Sequence, residues 1–160
     1  MVYDARAACM QIAADMLHNK ARCIYTESAQ RWGWHAFPTP HYPFEGDCSS
    51  TVTAICWWAK GNDPSGVNWA YGDTTTMLAH AQAKKLIIPK DTLLHGDFIL
   101  FGLPETVHVV MALQDVGGLS PNPNPLCFSM GKPGDPSVVQ LSDLLSLGTP
   151  TYVRNVTRVK

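Results

Sequence analysis

Two residues in this chain are of types that can carry nucleophilic chemistry together. Cys48 lies in FEGDCSSTVT at 44–53, between Asp47 and Ser49. His108 lies within the apolar run VHVVMAL at 107–113. A thiol attacks a carbonyl as the thiolate, and two things favour that anion. One is the N-terminus of a helix, through its free N–H groups and its dipole. The other is a nearby imidazole that takes the proton. Asp47 is a good N-cap residue, so Cys48 is expected in the first turn of a helix, where the dipole should lower the thiol pKa. An imidazole inside an apolar strand is costly unless it has partners, which makes His108 a candidate base; a structural Cys48 and a satisfied core His108 are the competing readings of the two residues taken singly.

The elements that must bring the two together can be read from the pattern. Ala5, Cys9, Ile12 and Met16 recur at helical spacing and predict a first amphipathic helix. Ala21 to Gly46, with Pro38, Pro40 and Pro43 among aromatics, reads as a long irregular loop approaching a site. Val52, Ile55, Cys56 and Ala59 form the stripe of a second helix, with Gly61 as its C′ stop. A third helix is expected from about Asp73–Thr76 to Lys85. Beyond Pro89 the character changes. FILF at 98–101, VHVVMAL at 107–113, LCFSM at 126–130 and TYVRNVTRV near the C-terminus read as four strands. Helices first and antiparallel strands after predict an α+β fold in one domain spanning 1–160, with a helical half to about 89 and a sheet half from about 90.

Composition narrows the function classes. Twelve Lys and Arg against 13 Asp and Glu give a net charge of -1 with no basic stripe, which argues against nucleic-acid binding. Five cysteines without a CxxC fit neither a disulfide framework nor a zinc ribbon. His35 and His41 flank the loop before Cys48, but their spacing with Asp47 and Cys48 matches no metal-ligand pattern, so no metal is expected. Trp32 and Trp34 in that loop are candidates for stacking on sugar or peptide faces, whereas Trp57 and Trp58 read as helix packing. His80 and His95 read as surface or loop residues. The first 20 residues do not form a signal peptide and no segment is long enough for membrane insertion.

FEGDCSSTVT at 44–53 resembles the nucleophile motif of the NlpC/P60 hydrolases and related phage lysin amidases, which carry Asp-Cys-Ser at the start of their core helix. LLHGDFILFG at 93–102 is similar to their Gly-Asp strand, with His95 where a Pro is usual, and VHVVMAL to the following strand that begins with the catalytic His. Tyr25 in IYTES, DPSG at 63–66, YGDTTTML at 71–78, PLCFSMG at 125–131 and PTYVR at 150–154 resemble the phage endolysin branch. The resemblance implies a papain-like NlpC/P60 fold without a cofactor. In it Cys48 attacks the scissile amide, and His108 takes the thiol proton and returns it to the leaving amine. The backbone N–H of Cys48 helps hold the oxyanion. Tyr25 lines the site, and Asp47 and Ser49 hold the polar end of the substrate; simple helix capping is the competing role for these two.

The third residue, which orients the His, is a departure. By the resemblance it falls at Met130, a poor acceptor. Ser129 is the neighbouring polar candidate, but alternation sets it on the face opposite Met130, so its use is expected to need a register shift or a bulge. A backbone carbonyl, a water, Asn122 or Asn124 are the other options. The implied activity is a peptidoglycan hydrolase, an endopeptidase of the stem peptide. The alternatives are an N-acetylmuramoyl-L-alanine amidase using the same pair, and a non-catalytic wall-binding or virion module. The implied setting is synthesis in the host cytoplasm without a signal peptide, release through a holin, and action at the bacterial cell wall.

Overall fold

A computed structural model describes residues 4–102, 106–117, 119 and 121–155. Helix α1 (Ala5–His18) is started by Asp4, whose carboxylate accepts from the N–H groups of Arg6 and Ala7. Strands β1 (Cys23–Tyr25) and β2 (Phe44–Gly46) pair in parallel, with Tyr25 set against Gly46. A 3-10 helix, Ala29–Ala36, lies between them. Helix α2 (Cys48–Trp58) and helix α3 (Thr74–Ala83) follow. The second half supplies β3 (Phe98–Phe101), β4 (His108–Ala112), β5 (Leu126–Ser129), β6 (Ser137–Gln140) and β7 (Pro150–Val153). These five form an antiparallel sheet in the order β6-β5-β4-β3-β7. The fold is thus α+β with a small antiparallel sheet, as the order of elements predicts.

The differences from expectation are local. The segment expected as irregular loop holds β1, a 3-10 helix and β2; runs of three residues carry no legible period. Strand β6 is additional, and the last strand is shorter than read, with residues 156–160 outside those described. Helix α2 does not stop at a glycine in the left-handed region. Lys60 takes that conformation (φ 50°), Lys60 N–H donates to Trp57 O, and Gly61 N–H donates to Cys56 O. This is the Schellman pattern with Gly61 one place later than expected. A Cβ on Gly61 would lie 3.3 Å from Cys56 O, so the close approach favours glycine there.

Helix α2 is buried nearly all round, its Ser and Thr side chains included, which marks it as the central helix. One side meets α1 and the other meets the sheet. Alternation along the strands makes two cores. Phe98, Leu100, Val109, Met111, Phe128 and Met130 face the helices. Ile99, Phe101, Val110, Ala112 and Cys127 face away from them, covered by Leu93 and Leu141. Burying a side chain such as Ile55, Phe128 or Phe101 contributes about 1.5–3 kcal/mol.

One carboxylate ties these layers to both ends of the described chain. Asp97 is 0% exposed. It accepts from Arg6 Nη1 at 2.8 Å and Arg154 Nη1 at 2.9 Å. It also accepts from Asn155 N at 2.9 Å and Leu94 N at 3.0 Å. Gly96 beside it has φ 81°, and a Cβ there would sit 2.9 Å from Arg6 Cγ, so the motif needs its glycine. Asp97→Ala strands two guanidinium groups and two backbone donors. It is expected to lower unfolding stability by about 3–5 kcal/mol in chemical denaturation. A loss below about 1 kcal/mol would show that water replaces the carboxylate there.

Candidate active site

Asp47 starts α2 through a reciprocal cap. Its Oδ1 accepts from Ser50 N at 2.8 Å, and its own N–H donates to Ser50 Oγ at 2.9 Å. Ser49 Oγ donates to the same Oδ1 at 3.1 Å, and Arg31 Nη1 reaches Oδ2 at 2.7 Å. Capping is therefore the role the geometry displays for Asp47 and Ser49, both buried, and Arg31 from the 3-10 helix locks the cap in place. Cys48 follows as the first helical residue, partly buried, with the backbone N–H groups of Val109, Ser49 and Cys48 itself directed at its sulfur.

His108 is the first residue of β4 and is 7% exposed. Its Nε2 lies 3.1 Å from Ser129 Oγ. Met111 pairs with Phe128 and Ala112 with Cys127. Carrying that register back sets Val110 against Ser129 and His108 against Gly131. Ser129 then shares the face of His108 without any shift or bulge, which corrects the sequence expectation. Met130 points to the opposite face, into the helix-side core, and has no part in orienting the ring. A Cβ on Gly131 would stand 2.7 Å from His108 Cε1, so the imidazole is held between a hydroxyl and bare backbone.

Cys48 and His108 open onto one cavity of about 250 Å³, which Tyr25, Arg31 and Thr74 also line. Tyr25 O–H donates to Glu27 Oε1 at 2.6 Å, and burial together with that carboxylate raises the phenol pKa. Thr74 Oγ1 donates to Thr106 O at 2.9 Å and pins the start of α3 to the approach to β4. A larger cavity, about 620 Å³, lies near the far end of α2 among Asp63, Trp69, His80 and Arg154, and contains none of the residues expected to carry chemistry.

The electrostatics differ from the expectation at the thiol. Burial pushes the Cys48 pKa up to about 11; the three backbone N–H groups pull the other way and Asp47 adds to the rise. The helix N-terminus is present, but desolvation outweighs it. His108 is moved down from the ordinary imidazole value, first by burial, with Asp135 and Asp47 opposing. The resting pair is thus a neutral thiol and a neutral imidazole. No hydrogen bond joins the ring to the thiol, and the ring is tied through Nε2 to Ser129 Oγ.

Several contributors were not read from the sequence. Arg31 and Glu27 sit in the stretch taken as loop. Asp135, buried, accepts from Gly131 N at 2.7 Å, Lys132 N at 3.2 Å and Ser137 Oγ at 2.7 Å, and so shapes the turn beside His108. Its setting in GKPGDPS was the available signal, since an Asp amid Gly and Pro is turn chemistry. Trp32 and Trp34 are buried at 8% and 3%, so neither offers a face for stacking on a ligand. His41 stacks on Phe37, and both ring nitrogens of His35 face backbone carbonyls. Among the described residues no three His, Cys, Asp or Glu side chains converge to hold a metal, and no helix is long and apolar enough to cross a membrane.

No protein-family model matches the chain, and no curated protein matches it.

The neutral thiol has a direct readout. Alkylation of Cys48 by iodoacetamide, located by peptide mass mapping, should accelerate with pH up to about 11, because the thiolate of the free protein forms only there. A plateau below pH 9 would mean that helix and imidazole overcome burial after all.

Proposed function

We propose that the chain is a cysteine hydrolase of the NlpC/P60 type, papain-like in fold, that cuts an amide of the peptidoglycan stem peptide. The observation that carries this is the meeting of two features in one cavity. A capped helix start presents a thiol, and a strand start presents an imidazole whose Nε2 is held by Ser129. Met130 does not occupy the orienting position, so it gives no support to a decayed, non-catalytic site.

The reaction needs His108 Nδ1 as acceptor, so Nε2–H donates to Ser129 Oγ. As the substrate carbonyl settles against the N–H groups at the start of α2, the thiol proton passes to Nδ1, directly or through one water. The sulfur bonds to the carbonyl carbon. The C–N bond breaks, the imidazolium protonates the departing amine, and a thioester remains on Cys48. Water then gives its proton to His108 and its hydroxide to the thioester carbon; the C–S bond breaks, the acid leaves, and the imidazolium returns the proton to the sulfur. Because both groups rest neutral, ionisation is coupled to substrate arrival. Glu27, Asp47 and Asp73 outnumber Arg31 around the cavity, which suits a substrate bearing an ammonium group.

Mass spectrometry of muropeptides after digestion tests the reading. Wild type should release new fragments whose masses name the bond, whether within the stem or between muramic acid and L-alanine. Cys48→Ala should release none. Ser129→Ala should slow kcat about tenfold, the worth of one ordinary hydrogen bond. Equal digestion by Cys48→Ala, or none by folded wild type across several wall types, would overturn it.

A further inference from the structure

The side of the molecule next to the catalytic cavity carries an aromatic cleft that the chemistry does not use. It is a shallow, open depression of about 590 Å³ lined by His35, Trp57, Asn68, Trp69, Ala70 and Tyr71. Tyr71 is 76% exposed, the most exposed aromatic among those described as exposed hydrophobics. It is nonetheless placed, with its ring 5.4 Å from that of buried Trp32. Trp57 and Trp69 meet edge to face at 5.2 Å, which leaves ring surfaces at an angle to one another.

The backbone is bent to hold this arrangement. Asn68 and Trp69 both lie in the left-handed region, at φ 55° and φ 65°. That is a costly conformation for a bulky residue such as Trp. Asp63 maintains it by accepting from Val67 N and Trp69 N, each at 2.8 Å. His35 adds a second tie, with Nε2 2.6 Å from Trp69 O and Nδ1 3.0 Å from Trp32 O. The strained pair is thus held by several contacts, and the exposed Tyr71 follows two residues on.

Two features of the lining select the ligand. Among the described residues no Asp, Glu, Lys or Arg lines the cleft, which favours an uncharged ligand there. Tilted aromatic faces beside a side-chain amide suit a pyranose ring, which has an apolar C–H face to lay on the ring quadrupole and polar edges for Asn68. The position agrees. Tyr71 is two residues from Asp73, which lines the catalytic cavity, so their Cα atoms lie within about 7 Å. On the other flank Arg31 of that cavity lies over the Trp32 ring at 5.6 Å.

We infer that the cleft of Trp57, Trp69 and Tyr71 is a carbohydrate subsite. It takes an N-acetylhexosamine ring of the glycan strand while the attached stem peptide enters the cavity of Cys48. The inference rests on the hydrolase reading for its substrate, but binding can be tested apart from cleavage. Cys48→Ala protein is titrated with a tetramer of N-acetylglucosamine, read by tryptophan fluorescence, since Trp57 and Trp69 line the cleft. A saturable change is expected, with affinity weakened about fivefold by adding Tyr71→Ala and retained by Tyr71→Phe. Absence of saturation at millimolar tetramer, or equal affinity with Tyr71→Ala, would overturn the subsite whatever the fragment assay shows. In the otherwise wild-type enzyme, Tyr71→Ala should raise KM on glycan-linked substrate and leave KM on free stem peptide unchanged. An equal rise on both would also overturn it.

Discussion

A carboxylate cut off from solvent must be met by donors, and Asp97 is met by four. Arg6 brings α1 to it, Arg154 and Asn155 bring the end of β7, and Leu94 brings the turn that launches β3. Because Asp97 stands immediately before β3, this junction fixes where that strand begins. Strand β3 then fixes its neighbours, with Phe101 set against His108 on one side and against Pro150 on the other. Alanine at 97 would leave the two cations facing each other across a dry gap, so the sheet, the first helix and the chain ends are energetically one unit at this point.

The cavity arises where two different termini arrive together, the first turn of α2 and the first residue of β4. Helix α2 packs on the face that carries Val109 and Met111, whereas His108 belongs to the series of Val110 and Ala112. The thiol therefore touches the sheet at the Val109 N–H, and the imidazole hangs one residue earlier, caught by Ser129 and Gly131. The capping cluster of Asp47, Ser49, Ser50 and Arg31 uses the polar groups around the thiol to fix the backbone. Preorganised N–H groups then remain as the electrostatic resource of the site.

What the residues disclosed in advance was whatever depends on near neighbours. Asp47 before an apolar stripe predicts the start of α2, and Asp73 with Thr76 predicts the start of α3, because capping is decided within four residues. FILF and HVVMA are compact enough to be legible as strands. The parallel pairing of β1 with β2 joins three-residue runs about twenty positions apart and leaves no periodic trace. Ser129 lies on the face opposite Met130, as alternation requires, but which of the two shares the face of His108 follows from the pairing register, which one strand alone does not carry. The thiol shows a limit of another kind. Helix dipole and burial oppose each other at Cys48, and only packing decides which is larger.

The neutral state of Cys48 also governs how the thiol oxidises. Peroxide consumes thiolates, and a thiol with a pKa of about 11 is ionised in only about one molecule in ten thousand at pH 7. The step to sulfenic acid, the first rung of oxidative loss, is throttled by the same burial that holds the proton on sulfur. A thiol kept in this form is slower to oxidise than one held as the thiolate, and the packing that buries it is what sets the difference.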